Sequence, residues 1–193
     1  MTIDWSAELS AQLAWHWDHH VRARLDRLTD AEYLWEPVEG CWSIRRGADG
    51  RTTIDFAFPE PVPAPVTTIA WRLGHVIVGV FGLRNAAHFG GPPVTYDTAV
   101  WPATAAEALA ALDDAYATWS AGVAGLDAER LASPVEPAEG AFAEFPMATL
   151  VLHIHREAIH HLAEVLLLRD LYRASFASSE GVRRTTTGGA QGP

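Results

Sequence analysis

The sequence predicts an all-α four-helix bundle, and three observations carry that prediction. Four stretches repeat apolar residues at helical spacing, separated by Gly- and Pro-rich breaks. Capping signals precede the early ones. The last stretch, Val151 to Tyr172, runs about six turns without Gly or Pro and is rich in Leu and Ala.

Taken in order, the first helix is expected from about Ser6 to Leu28, capped by Asp4 or Ser6 with Glu8 in its first turn. Leu9, Leu13, Trp17, Val21, Leu25 and Leu28 form its inner stripe. Thr29 to Glu32 has the pattern of a capping box opening a short turn. Residues 41–45 and 52–58 alternate weakly around Asp49-Gly50, which predicts a small β-hairpin near residues 41–58, lying across the bundle end. Prolines 59, 61, 63 and 65 then make a stiff connector.

A second long helix is expected from Val66–Thr68 to about His88, with Ile69, Leu73, Val76, Val80 and Leu83 inward and His88 as a C-terminal capping cation. Thr104 to Glu107 opens a third, with Leu109, Leu112, Tyr116 and Trp119 inward, and Asp127 to Leu131 adds one turn. Residues 133–145 read as loop with a short extended pair, and Pro146 suits the first turn of the fourth helix. The long connections make this a bundle with crossovers over residues 1–176, followed by a flexible C-terminal tail at 177–193.

Composition narrows the function. The 193 residues are 49% hydrophobic and 20% charged, with a formal charge of −10. All 14 basic residues are Arg. An acidic chain without a basic stripe is a poor nucleic-acid binder, and the lack of Lys removes Schiff-base chemistry. No apolar run reaches the roughly eighteen residues of a membrane span. One cysteine, Cys41, permits no internal disulfide, and the start of the chain lacks a signal-peptide pattern, so a cytoplasmic location is expected. Cys41 lies in a turn-rich segment with nothing to lower its pKa, and is not expected to be a nucleophile. Phosphate-loop, nucleophile-elbow and Cys-x-x-Cys motifs are absent.

Chemistry concentrates in the fourth helix. His153, Glu157, His160, His161 and Glu164 fall within about 100° of arc, while His155 points the other way. Apolar residues fill most other directions, so most of this helix is expected to be buried. Buried ionisable groups need a partner, and a divalent cation is the simplest. Glu157 and His161, one turn apart, are the sharpest ligand pair, with His153/Glu157 and His160/Glu164 as competitors at the same spacing. A hydrogen-bonded core network explains the same stripe. His75, on the second helix, is a candidate partner for it, and His16 and His20 share a face on the first helix.

Three segments in order carry a resemblance: Gln12 to Arg24 with the following Leu-Thr-Asp-Ala-Glu-Tyr-Leu-Trp-Glu-Pro, Trp71-Arg-Leu-Gly-His75, and Arg156-Glu-Ala-Ile-His-His-Leu-Ala-Glu-Val165. Together they resemble the DinB superfamily of metal-binding four-helix bundles. That resemblance implies a metal held by a His on the second helix and two residues at i and i+4 on the fourth, usually both His. It assigns His75, Glu157 and His161. The Glu at the middle position departs from the common set and is similar to the related mycothiol-dependent maleylpyruvate isomerases. His153 and His160 are left as supporting residues. A divalent ion, zinc or nickel, is implied, with a low-molecular-weight thiol such as mycothiol as second cofactor. Arg72, Arg156, Trp42 and Trp71 are the residues expected to hold it. The implied function is a metal-dependent thiol transferase or isomerase, the alternative being a non-catalytic metal- or small-molecule-binding stress-response bundle. The expected partners are a small thiol and its substrate, and the apolar excess suits a homodimer. Ligand histidines should begin to lose the metal to protons below about pH 6.

Overall fold

A computed structural model describes the backbone of residues 3–186 and the side chains of residues 3–177. Four long helices form the bundle, joined by a two-stranded hairpin and short helical turns. The first spans residues 5–25. It begins as the α-helix Trp5–His16, widens into a π-helical turn at Trp17–Val21 and returns to α-helix at Arg22–Leu25. The Asp4 carboxylate caps it by accepting from the Ala7 amide at 3.1 Å. Leu13, Trp17, Val21 and Leu25 are buried as the apolar stripe requires, and Trp17 stacks on Tyr116 of the third long helix at 3.9 Å.

The chain turns at Arg27, whose φ of 58° is left-handed, and enters the short helix Asp30–Tyr33 through the expected capping box. Thr29 Oγ1 accepts from the Glu32 amide at 3.2 Å, and the Thr29 amide donates to Glu32 Oε2 at 2.8 Å. The hairpin is shorter than the alternation suggests. Strand β1 (Ile44–Arg46) pairs antiparallel with β2 (Thr52–Ile54), Ile44 opposite Ile54. Its flank is tied to the second long helix: the Trp42 amide donates to the Val66 carbonyl and the Thr68 amide to the Trp42 carbonyl, both at 2.9 Å.

The second long helix spans residues 69–88, with Thr68 as its cap. Its middle, His75–Gly82, is π-helical. Widened turns of this kind rotate everything beyond them relative to an α-helical count. Ile69, Leu73, Val76 and Val80 are buried as predicted, but Leu83 is half-buried and lines a cavity instead. His88 is also corrected. Its side chain is 3% exposed and its Nε2 lies 2.9 Å from Glu139 Oε1, so the ring is spent on a buried carboxylate rather than on the helix's last carbonyls.

The third long helix, Ala105–Ala124, is capped by Thr104 and buries Leu112, Trp119 and Val123. After the short helix Ala128–Ala132 and a 3-10 segment at Pro137–Phe142, a bridge between Pro134 and Pro146 closes the connecting loop. The fourth long helix starts at Met147, directly after Pro146, and reaches Thr186. The tail expected over residues 177–193 therefore begins in helical backbone, and residues 187–193 lie outside the described residues. Val151, Ile154, Ala158, Leu162 and Val165 of this helix are buried, yet Leu152 (54%) and Leu167 (59%) stand exposed on its outer edge. Burial is thus one-sided, which leaves the His/Glu stripe at the boundary between core and solvent. Among the described residues, no helix is long and apolar enough to cross a membrane.

Candidate metal centre

Two long helices meet at the site. The second carries Trp71, Arg72 and His75 near its start, and the fourth carries His153, Glu157, His160, His161 and Glu164. The rings of His75 and His161 stand edge to face, with centroids 4.7 Å apart. His161 Nε2 is 3.6 Å from Glu157 Oε2. The two helices therefore bring His75 and Glu157 each against His161, although the three do not gather with all their ligand atoms within 4.8 Å of one another.

The second nitrogen of each imidazole is already engaged. His75 Nδ1 lies 2.7 Å from the Tyr96 hydroxyl, and His161 Nδ1 lies 2.9 Å from Glu164 Oε2. The tautomer in which His161 Nδ1–H donates to that carboxylate is the one that frees Nε2 on the Glu157 side. A carboxylate or hydroxyl behind a His is the arrangement that orients imidazoles toward a metal.

Electrostatics act in the same direction. Burial, then the neighbouring His161 and Arg72, push His75 down to about 4, so its imidazole is neutral at physiological pH. His161 is lowered chiefly by burial, against the opposing effect of its hydrogen bond to Glu164. Burial raises the Glu157 carboxyl, but the Arg156 hydrogen bond and the electrostatic pull of its basic neighbours outweigh it and hold it below the ordinary value. The donor set is two neutral imidazoles and one carboxylate, which fits a divalent transition ion.

A second grouping shares His161. His160, His161 and Glu164 each offer a ligand atom, all within 4.8 Å of one another. Here Arg72 Nη1 sits 3.1 Å from both His161 Nδ1 and Glu164 Oε2, so a guanidinium already supplies the positive charge on that side. The His160 side chain is 63% exposed.

The aromatic residues named from sequence form a row beside His75. Trp71 stacks on His75 at 5.3 Å, Trp42 lies 5.9 Å from Trp71, and the Arg72 guanidinium is 5.4 Å from the Trp71 ring centroid. Trp71 Nε1 donates to the Asp55 carbonyl at 2.7 Å, which ties the row to the hairpin strand's exit. Arg156 lies on the opposite flank, against His153 Nδ1 at 2.6 Å and Glu157 Oε1 at 3.2 Å. A cavity of about 280 Å³ opens over His75 and Glu157, walled by Phe56, Tyr96, Arg84, His153 and Ile154 among others. His16 and His20 pack against each other on the first helix, and His155 is buried edge-on to Trp119. Cys41 is buried with its thiol donating to the Val38 carbonyl.

A family model described as the DinB superfamily matches residues 12–165. The chain belongs to the DinB superfamily. The match spans the first helix through the His/Glu stripe, so the bundle, its hairpin and both halves of the site fall within DinB-superfamily sequence. No curated protein and no solved structure matches the chain.

Tyr96 is the site residue that sequence reasoning missed. It sits in the loop after Gly90-Gly91-Pro92-Pro93, where no periodicity points at His75. One nearby signal exists in Gly79. A Cβ there would stand 2.5 Å from the Tyr96 hydroxyl and 3.0 Å from His75 Nδ1. Gly79→Ala is expected to cost about 1–3 kcal/mol through overpacking. Adding Tyr96→Phe, which removes the clashing oxygen, should recover part of that loss in chemical denaturation. Strict additivity of the two changes would show that they do not share this contact.

Proposed function

We propose that this DinB-superfamily chain binds a divalent ion, zinc or nickel, through His75, Glu157 and His161, and uses it with a low-molecular-weight thiol in a transfer or isomerisation reaction. The observation that supports the reading is that His75 packs edge to face on His161, whose Nε2 lies 3.6 Å from Glu157, while Tyr96 and Glu164 hold the Nδ1 atoms of the two rings. An ion held by three protein ligands with an open position lowers the pKa of a bound thiol or water.

The chain's own residues divide the remaining work. Tyr96 and Glu164 fix the two ring orientations. Trp71 and Trp42 offer an aromatic wall, and Arg72 and Arg156 offer cations on opposite flanks for an anionic thiol. His153, 3.5 Å from Glu157, and His160, 3.6 Å from Glu164, support the carboxylates. A metal with two neutral imidazoles and one carboxylate keeps a net charge near +1, which favours thiolate over thiol.

Thiol binding should therefore release a proton, seen as a buffer-dependent calorimetric enthalpy, and should depend on the ion. Mycothiol or glutathione binding that is undiminished in metal-free protein contradicts the reading. Burial lowers both ligand histidines, so protons are expected to compete with the ion only below the ordinary imidazole range. A His whose folded pKa is lowered stays neutral, and so able to ligate, until pH falls toward that value. Competition by protons at His75 thus sets in as pH approaches about 4 rather than at the ordinary 6.5.

A further inference from the structure

A second cavity, of about 430 Å³, lies beside the first and shares Arg84 and His153 with it. Val135, Phe142, Phe145, Leu150 and Leu152 give it an apolar wall. Three of these are large and solvent-facing: Phe142 is 64% exposed, Phe145 50% and Leu152 54%. Apolar side chains gathered around a concavity, instead of scattered, mark a place where an apolar group docks.

The wall is held in place. Its loop is closed at the base by the Val135 amide donating to the Phe145 carbonyl and the Met147 amide to the Ser133 carbonyl, both at 2.9 Å. Midway, the Glu139 carboxylate, 8% exposed, accepts from His88 at 2.9 Å and pairs with Arg84 at 3.3 Å. Glu139 is therefore spent on two partners of the second helix, and the pocket is preformed.

Charge selects the occupant. The other cation on the lining is Arg156, whose side chain is 69% exposed and which reaches from this pocket to Glu157 of the neighbouring site. Its Nε and Nη2 hold Glu157 and His153, which leaves the Nη1 edge of the guanidinium to meet an anion at the pocket. We propose that this pocket receives the apolar body of an organic carboxylate, of aryl-alkyl size, with the ring against Phe142, Phe145 and Leu152 and the carboxylate on Arg156, on the side that faces the His75/Glu157 cavity. The inference rests on the proposed function for what happens at that neighbouring cavity, but the pocket itself needs no ion.

The probes are 4-phenylbutyrate, 4-phenylbutanol and butyrate, titrated by calorimetry or ligand-observed NMR. Phenylbutyrate should bind saturably in metal-loaded and metal-free protein alike, with butyrate at least about tenfold weaker for want of the ring. Phe142→Asp and Leu152→Asp, both at exposed positions, should each weaken it by about tenfold or more. Arg156→Ala should weaken phenylbutyrate by about tenfold and leave phenylbutanol within about twofold. No saturable binding in the millimolar range, equal binding of acid and alcohol, or binding untouched by both Asp variants overturns the proposal. Because the metal-free protein is one arm, failure of the metal reading and failure of this pocket are read separately.

Discussion

Arg169→Ala is expected to lower the unfolding free energy by about 3–5 kcal/mol, the usual cost of stranding one partner of a buried ion pair. Arg169 is 2% exposed and lies on the core side of the fourth helix. Its Nε donates to Glu32 Oε1 at 3.0 Å, its Nη2 to the Asp26 carbonyl at 2.9 Å, and its Nη1 to the Arg24 carbonyl. One guanidinium thus satisfies carbonyls at the end of the first long helix and locks the capping box of the next. Burial would raise the Glu32 carboxyl, but hydrogen bonds from Arg169, the Thr29 amide and Arg173 override it and bring it down to about 2. A carboxyl lowered in the folded state adds stability that is fully present above its unfolded pKa, near 4.5, and fades as pH falls toward 2. Urea denaturation at pH 7 and pH 3 should show the wild-type advantage over Glu32→Gln shrinking at the lower pH. A gap independent of pH would contradict the assignment.

That ion pair marks the limit of what was legible beforehand. Helical periodicity located all four long helices, and the caps Asp4, Thr68 and Thr104 the starts of the first three, because apolar spacing and capping act locally. The partner of Arg169 lies 137 residues away, and nothing local names it. Its one trace was a charge standing in the apolar register of Leu162, Val165 and Leu166. Leu83 was misplaced for a backbone reason, since the π-helical turn at His75–Gly82 breaks the 3.6-residue count, whereas His88 ends its helix as expected and only its distant partner Glu139 was missed. Within the site, the i and i+4 spacing was sufficient to set Glu157 beside His161, and the family resemblance to add His75. Tyr96 arrives from a loop, where side-chain direction follows from tertiary packing alone.

Replacing His75, Glu157 or His161 with Ala should reduce metal affinity by more than about a hundredfold, because loss of one ligand in three also misplaces the others. The residues behind them should matter less. Tyr96→Phe and Glu164→Gln are expected to cost about 10–100-fold, the range for groups that orient a ligand. His155→Ala should leave metal content unchanged, since that ring is buried against Trp119 on the other side of the helix. Its cost should appear in stability instead, as a cavity in the core.

The claim that the ion belongs to His75, Glu157 and His161 is tested most directly by elemental analysis of untagged protein alongside His75→Ala and His160→Ala. About one zinc or nickel ion per chain is expected in the wild type and in His160→Ala, with loss in His75→Ala. Metal retained in His75→Ala but lost in His160→Ala would move the site to His160, His161 and Glu164, and a metal-free wild type would contradict it altogether.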